Sequence, residues 1–150
     1  MNNKPFFGNL TSGITHDFDP VKDKMISKST KNVTLAVDFD GTIVEDKFPY
    51  VGHELENSIS ILKTLKSYGV KLILWTCRSG NYLNDAINFC KSRGLEFDAV
   101  NDNIPNPKFP QNVERSPKVF ADFYIDDRAF PPFCGWTQFL EIFKDVYGLA

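Results

Sequence analysis

Residues 33–42 read VTLAVDFDGT, and they are the most informative segment for predicting the fold. Its first five residues are apolar or β-branched and lack the polar alternation of a half-exposed strand. Such a run is typical of a strand buried on both faces of a parallel sheet. Gly41 permits a tight turn directly after it. The stretch therefore predicts a buried strand with two carboxylates, Asp38 and Asp40, at its carboxyl end.

Apolar runs and helical stripes alternate in the rest of the chain. Runs at residues 70–75, 97–100 and 121–125 predict three further strands. Three helices are predicted from apolar residues at helical spacing: Ile59, Leu62, Leu65 and Tyr68; Leu83, Ala86, Ile87 and Cys90; Leu140, Phe143, Val146 and Tyr147. The expected helix boundaries are Gly69 and Gly94 as stops and Thr137 as the cap of the last helix. This order predicts an α/β protein, a three-layer α/β/α sandwich around a mainly parallel sheet.

Length and composition limit the remaining possibilities. The chain has 150 residues, the size of one domain, and we expect an N-terminal extension over 1–32 followed by a domain over 33–150. The net charge of −2 disfavours bulk nucleic-acid binding, which needs a basic field. Three widely spaced cysteines do not indicate a disulfide framework. No apolar run approaches the ~20 residues of a membrane span, so we expect a soluble, cytoplasmic protein without a membrane partner.

Polar residues stand at the ends of three predicted strands: Asp38, Thr76 and Asp126. Because ligands of parallel sheets bind beyond the carboxyl ends of the strands, we expect these residues to meet at one edge. A carboxylate is a competent covalent nucleophile, and a neighbouring carboxylate can transfer protons. Close carboxylates also favour a divalent cation, and Mg²⁺ prefers carboxylate, water and phosphate oxygens. Lys118 offers a point charge for a phosphate group.

These residues resemble the four motifs of the haloacid dehalogenase (HAD) superfamily. The first motif resembles residues 33–42, the second residues 72–76, the third Lys118 in Ser-Pro-Lys, and the fourth residues 124–127. The likeness extends from residue 33 to about residue 147 and is greatest to small bacterial members that lack a cap domain. It implies a HAD-like fold and magnesium-dependent hydrolysis of a phosphomonoester.

The resemblance also implies a role for each carboxylate. Asp38 would attack phosphorus and form an aspartyl-phosphate, while Asp40 would protonate the leaving oxygen and then activate water. The side chains of Asp38 and Asp126 and the backbone carbonyl of Asp40 would bind Mg²⁺. Asp127 would bind the metal through water or only cap the following turn. The second aspartate of the pair, Asp40, favours phosphate over halide chemistry within this superfamily.

Phosphate and substrate contacts complete the implied site. Thr76 and Lys118 would hold the phosphoryl oxygens. Lys118 lies only eight residues before Asp126, closer than in larger relatives, so Lys108 is the fallback. The candidate substrate-binding residues are Gly41, Thr42, Arg78 and Arg128. For the two arginines, a surface salt bridge is an equally good interpretation.

Three other functions agree with part of the sequence. The run at 126–128 also resembles the phosphatase half of polynucleotide kinase–phosphatases, which makes nucleic acid a candidate only as a 3′-phosphorylated substrate. A non-catalytic binding module would keep the same fold. A two-component receiver domain shares the acidic pair after the first strand, but its phosphorylated aspartate follows the third strand. There the chain reads Val-Asn-Asp-Asn, residues 100–103.

Both places at which this superfamily inserts cap domains are short. Residues 43–55 and 101–117 are loop-sized, far below the ~50 residues of a small domain. We therefore expect an open active site, only partly covered by residues 48–50 from one side and residues 104–109 from the other. An open site admits a bulky or polymeric phosphorylated substrate. Alternatively, a second subunit of a homo-oligomer would serve as the lid.

Overall fold

The computed structural model describes residues 29–105, 114 and 116–150. After a short 3₁₀ turn at Thr30–Asn32, four strands and three helices alternate. They are β1 (Thr34–Val37), α1 (Ser58–Ser67), β2 (Lys71–Leu74), α2 (Gly80–Ser92), β3 (Ala99–Val100), β4 (Phe123–Ile125) and α3 (Trp136–Tyr147). Residues 1–28 of the expected extension lie outside the described part of the chain.

The four strands form one all-parallel sheet in the order β3-β2-β1-β4. Strand β1 is interior, and its last residue, Val37, lies opposite Leu74 of β2 and Ile125 of β4. Leu35, Ala36 and Val37 are at most 1% exposed, because β1 is covered on both faces. This burial explains the uninterrupted apolar run in the sequence. The predicted α/β class and parallel sheet are confirmed.

The two faces of the sheet belong to two hydrophobic clusters. The larger contains Leu35 and Val37 of β1 together with buried residues from all three helices. The smaller contains Ala36 and Ile73, which point to the opposite face, packed with Val119 and its neighbours. These contacts establish a covered sheet, but they do not establish the predicted three-layer arrangement.

Strands β3 and β4 each begin two residues later than the apolar runs predict, because aspartate side chains replace part of the backbone ladder. The N–H of Leu72 donates to the Asp98 carboxylate at 2.8 Å. The N–H of Thr34 donates to the Asp122 carboxylate at 2.9 Å. Each aspartate N–H returns a bond to the same strand residue at 2.8 Å. The side chain thus occupies the position of a ladder carbonyl.

The helix stops at Gly69 and Gly94 are confirmed, since α1 and α2 end just before them. The prediction that Thr137 caps the last helix is wrong, because α3 begins at Trp136 with Gly135 as its N-cap. The Trp136 indole N–H donates to the carbonyl of Thr42 at 2.7 Å and anchors the helix start there. The Thr137 hydroxyl instead accepts an N–H from the Asn57 side chain at 3.2 Å. No helix in the described part of the chain is long and apolar enough to cross a bilayer.

Candidate functional site

The loop after β1 folds back onto the end of the strand. The backbone N–H groups of Ile43 and Val44 donate to the carbonyl of Phe39 at 2.9 and 3.1 Å. Gly41 has a φ of +82°, and a Cβ at this position would collide with the Asp127 carboxylate. Both the backbone conformation and the close approach therefore require glycine. The turn brings the loop after β1 into contact with the loop after β4.

Three carboxylates meet at the carboxyl edge of the sheet. One oxygen each of Asp38, Asp126 and Asp127 lies within 4.8 Å of the others. Their meeting follows from the sheet register: Val37 and Ile125 are paired, so the residues that follow them emerge side by side. The N–H of Asp38 still continues the ladder by donating to the Ile125 carbonyl at 2.9 Å. Asp38, 88 residues before Asp126 in the sequence, is thereby held beside it.

Burial and mutual repulsion disfavour ionisation of this cluster. Burial raises the pKa of Asp38 to about 7, and the charges of Asp126 and Asp127 add to the increase. The N–H of Phe39 and the hydroxyl of Thr42 oppose the rise in this pKa by stabilising the carboxylate. Burial also raises the pKa of Asp127, with Asp126 as the next cause. Without a counterion, the cluster favours retention of a proton.

Thr42 connects the two loops of the cluster. Its buried hydroxyl donates to the Asp38 carboxylate at 3.3 Å and accepts the Asp127 backbone N–H at 3.1 Å. The Asp127 Oδ1 atom is buried and makes no hydrogen bond with the described residues. A buried carboxylate oxygen without a partner is costly unless a cation or water binds it. Thr42, predicted to contact substrate, holds the carboxylates of both loops in position in the structure.

Asp40 lies outside the carboxylate cluster and pairs with Arg78. The Nε and Nη2 atoms of Arg78 donate to the two oxygens of Asp40 at 2.6 and 2.7 Å. Arg78 is 2% exposed and donates further bonds to the carbonyls of Pro49, Tyr50 and Tyr82. The sequence analysis allowed a substrate contact or a surface salt bridge for Arg78. The structure shows an ion pair, but a buried and bidentate one.

The loop after β2 is held by the end of β3. The N–H of Thr76 donates to the Asn101 side chain at 2.8 Å, and the Thr76 hydroxyl accepts the Arg78 N–H at 3.2 Å. Asn101 has a φ of +47°, a conformation that asparagine tolerates better than most residues. The sequence analysis did not identify Asn101 as part of the site. The sequence did contain a signal for Asn101, because this polar residue directly follows the predicted third strand.

Two of the predicted basic residues, Lys118 and Arg128, are exposed. The Lys118 amine is 5.2 Å from the centroid of the Tyr124 ring. Arg128 is exposed, and its guanidinium lies 3.4 Å from the Asp46 carboxylate. The backbone N–H of Arg128 donates to the Asp126 side chain at 2.8 Å, so its main chain orients a cluster carboxylate. The fallback, Lys108, lies outside the described residues.

A cavity of about 720 Å³ adjoins the cluster on the side of Asp127. Thr42 and Trp136 line it, together with the acidic residues Glu56 and Glu141. None of the described residues that line it is basic. Its carboxylates disfavour an anionic group, so we do not assign a phosphate to this cavity.

The fold and the site define an α/β protein that carries three clustered carboxylates at the carboxyl edge of a parallel sheet. Among solved structures, it is similar to a conserved protein coded by a locus of Bacteroides thetaiotaomicron. The two are 42% identical with a TM-score of 0.68, and the match covers 76% of this chain and 92% of that chain. The chain belongs to the same family as this conserved protein. No protein-family model matches the sequence, and no curated protein does.

Proposed function

We propose that the protein is a magnesium-dependent phosphomonoester hydrolase of the HAD type, with Asp38 as the nucleophile. The observation that carries this proposal is the cluster of Asp38, Asp126 and Asp127 at the carboxyl edge of the sheet. The four motif-like segments support it, since each belongs near a strand end in that superfamily. The fold would then be its three-layer sandwich. Residues 43–57, which contain only isolated bridges, support an architecture without a cap at this position.

The donor atoms of the cluster fit magnesium. The side chains of Asp38 and Asp126 and the backbone carbonyl of Asp40 would hold the ion, and all are the hard oxygen ligands that Mg²⁺ prefers. The buried, unpaired Asp127 Oδ1 would accept a hydrogen bond from a metal-bound water. When bound, the ion neutralises the clustered carboxylates and the charge of the phosphate group.

The proposed reaction consists of two displacements. In the first, an oxygen of Asp38 forms a bond to phosphorus while the ester P–O bond breaks, and the leaving oxygen takes a proton from Asp40. In the second, water attacks the phosphorus of the aspartyl-phosphate and gives a proton to Asp40. Inorganic phosphate leaves, and the carboxylate of Asp38 and the acid form of Asp40 are restored.

The pair of Asp40 with Arg78 sets the geometry in which Asp40 would act. A bidentate pair uses one lone pair of each carboxylate oxygen and leaves the second lone pair of each available for a proton. The side-chain hydrogen bonds of Arg78 are made to Asp40 and to three backbone carbonyls. We therefore assign to Arg78 the orientation of Asp40 rather than contact with the substrate.

Two predicted residues would hold the phosphoryl oxygens. The Thr76 hydroxyl accepts the backbone N–H of Arg78, so its own O–H can donate to a phosphoryl oxygen. Lys118 would supply a positive charge from its exposed segment, with Lys108 as the alternative. Both roles come from the resemblance to the superfamily.

Hydrolysis of 4-nitrophenyl phosphate tests the proposal. We expect turnover with magnesium, loss of turnover in chelator, and a decrease of at least about 10³-fold in kcat for Asp38→Asn. Asp85→Asn is the matched control, because Asp85 is an exposed carboxylate on α2, and it should retain full activity. Activity of Asp38→Asn within tenfold of the wild type contradicts the covalent mechanism. Magnesium binding without turnover of any phosphomonoester supports a non-catalytic binding module instead.

A further inference from the structure

Three residues with exposed aromatic side chains contact the buried guanidinium of Arg78, Phe48 through its ring and Tyr50 and Tyr82 through their backbone carbonyls. Phe48, Tyr50 and Tyr82 are 56%, 79% and 47% exposed. The rings of Phe48 and Tyr82 meet edge to face, with centroids 5.4 Å apart, and the Phe48 centroid lies 5.3 Å from the Arg78 Cζ atom. We call these three side chains the aromatic rim.

The backbone that carries the rim is tied to a single side chain. Arg78 donates to the carbonyls of Pro49, Tyr50 and Tyr82 at 3.1, 2.8 and 3.4 Å. These bonds join the loop after β1 to the first turn of α2. The inner face of Phe48 packs on the guanidinium, and its exposed surface faces away from it. The backbone of the rim and the Phe48 ring are therefore held in place, which reduces the conformational freedom lost when a ligand binds.

The rim also lies beside the proposed proton donor. The guanidinium that holds the rim is bonded to both oxygens of Asp40, at 2.6 and 2.7 Å. A leaving oxygen must come within about 3 Å of Asp40 to receive its proton. The rim adjoins the same guanidinium, so it is an exposed aromatic surface next to this ion pair that an organic group on that oxygen can contact.

We propose that the aromatic rim is the leaving-group subsite and that it selects phosphomonoesters whose leaving group has a planar or apolar face. This inference rests on the proposed function. Aromatic surfaces gain most when they stack on another ring or cover an apolar face. A small polyol would leave the three rings in water. The rim thus defines the substrate class as aryl or other ring-bearing phosphomonoesters.

The test compares substrates that differ in the leaving group. We would measure kcat/KM for 1-naphthyl phosphate and glycerol 1-phosphate with wild type, Phe48→Ala and Phe48→Leu. Phe48→Ala should lower kcat/KM for the naphthyl ester about tenfold and that for the glycerol ester less than about twofold. Phe48→Leu keeps apolar volume and should lie between. Phe130→Ala is the matched control, because Phe130 is a 94% exposed phenylalanine outside the rim, and it should change neither value.

A binding measurement separates this inference from the proposed function. Calorimetry with magnesium would compare 1-naphthylmethylphosphonate, which cannot be hydrolysed, with methylphosphonate. The naphthyl compound should bind more tightly to the wild type, and Phe48→Ala should remove about tenfold of that preference. Equal binding of the two phosphonates, or equal effects of Phe48→Ala on both esters, overturns the subsite. Preferred naphthyl binding without turnover of any ester supports the subsite and rejects the proposed hydrolase.

Discussion

Replacement of Asp38 by asparagine should stabilise the metal-free protein. The pKa of Asp38 is raised from 3.8 to about 7, by burial first and then by Asp126 and Asp127. The folded state thus holds its proton to higher pH than the unfolded state does. Stability must fall as pH rises from about 4 to about 7. Asparagine is neutral throughout and can still accept the hydrogen bond from Thr42, so it removes this loss.

The difference between the folded and unfolded pKa values of Asp38 sets the size of the expected stabilisation. A rise from 3.8 to about 7 corresponds to at most about 4 kcal/mol, at 1.36 kcal/mol for each pH unit. Asp38 is only partly buried, and solvent screens part of this effect. We therefore expect Asp38→Asn to raise the free energy of unfolding by about 1–2 kcal/mol at pH 8. For a chain of this length, each kcal/mol raises Tm by roughly 2–4 °C.

Urea and thermal unfolding at pH 5, 6, 7 and 8 in chelator would measure the effect. The advantage of Asp38→Asn should grow up to about pH 7 and then level off. Magnesium should stabilise the wild type and leave the stability of Asp38→Asn nearly unchanged. The difference in unfolding free energy between the two proteins should therefore become smaller when magnesium is added. Asp85→Asn should match the wild type at every pH. The reasoning is refuted if Asp38→Asn is no more stable than the wild type at pH 8, or if its advantage is the same at pH 5.

Substitutions of Gly41 and Arg78 test two residues that hold the site in its observed geometry. Gly41→Ala should destabilise the fold by about 2 kcal/mol and weaken magnesium binding in calorimetry, because its Cβ collides with Asp127. Gly80→Ala, at a φ of +54° in open space, should retain full magnesium affinity, and an equal loss of affinity would contradict the argument. Arg78→Met should lower the free energy of unfolding by about 3–5 kcal/mol in urea, because it leaves Asp40 without its partner. Adding Asp40→Asn should recover part of that loss, and strict additivity of the two changes would show that the pair is not coupled.

Local patterns in the sequence were sufficient for the order of the elements. An apolar run without alternation predicted β1, and helical spacing predicted the buried residues Ile59, Leu62 and Leu65 of α1. Parallel pairing then explains why Asp38 and Asp126 meet, since both directly follow paired strand ends. The strand starts were less accurate, because a side-chain oxygen can replace a ladder carbonyl without changing the apolar pattern.

The type of a single residue predicted its role less well where a hydrogen bond from a residue far along the chain sets the local structure. Thr137 is a good capping residue, but the bond from Trp136 to the carbonyl of Thr42 sets the start of α3 elsewhere. Asn101 looks like an ordinary loop residue, although it holds Thr76 across the sheet edge. In both cases the deciding bond joins residues at least 25 positions apart.

Short-range periodicity and the common direction of parallel strands make a parallel α/β sheet, with Asp38 and Asp126 at its carboxyl edge, predictable from the sequence. The pairing of Asp40 with Arg78 and the packing of Phe48 on this ion pair emerge only from the folded chain. Such contacts depend on how separate loops approach one another and on which side chains exclude water. Neither property is encoded in the spacing of residues along the chain.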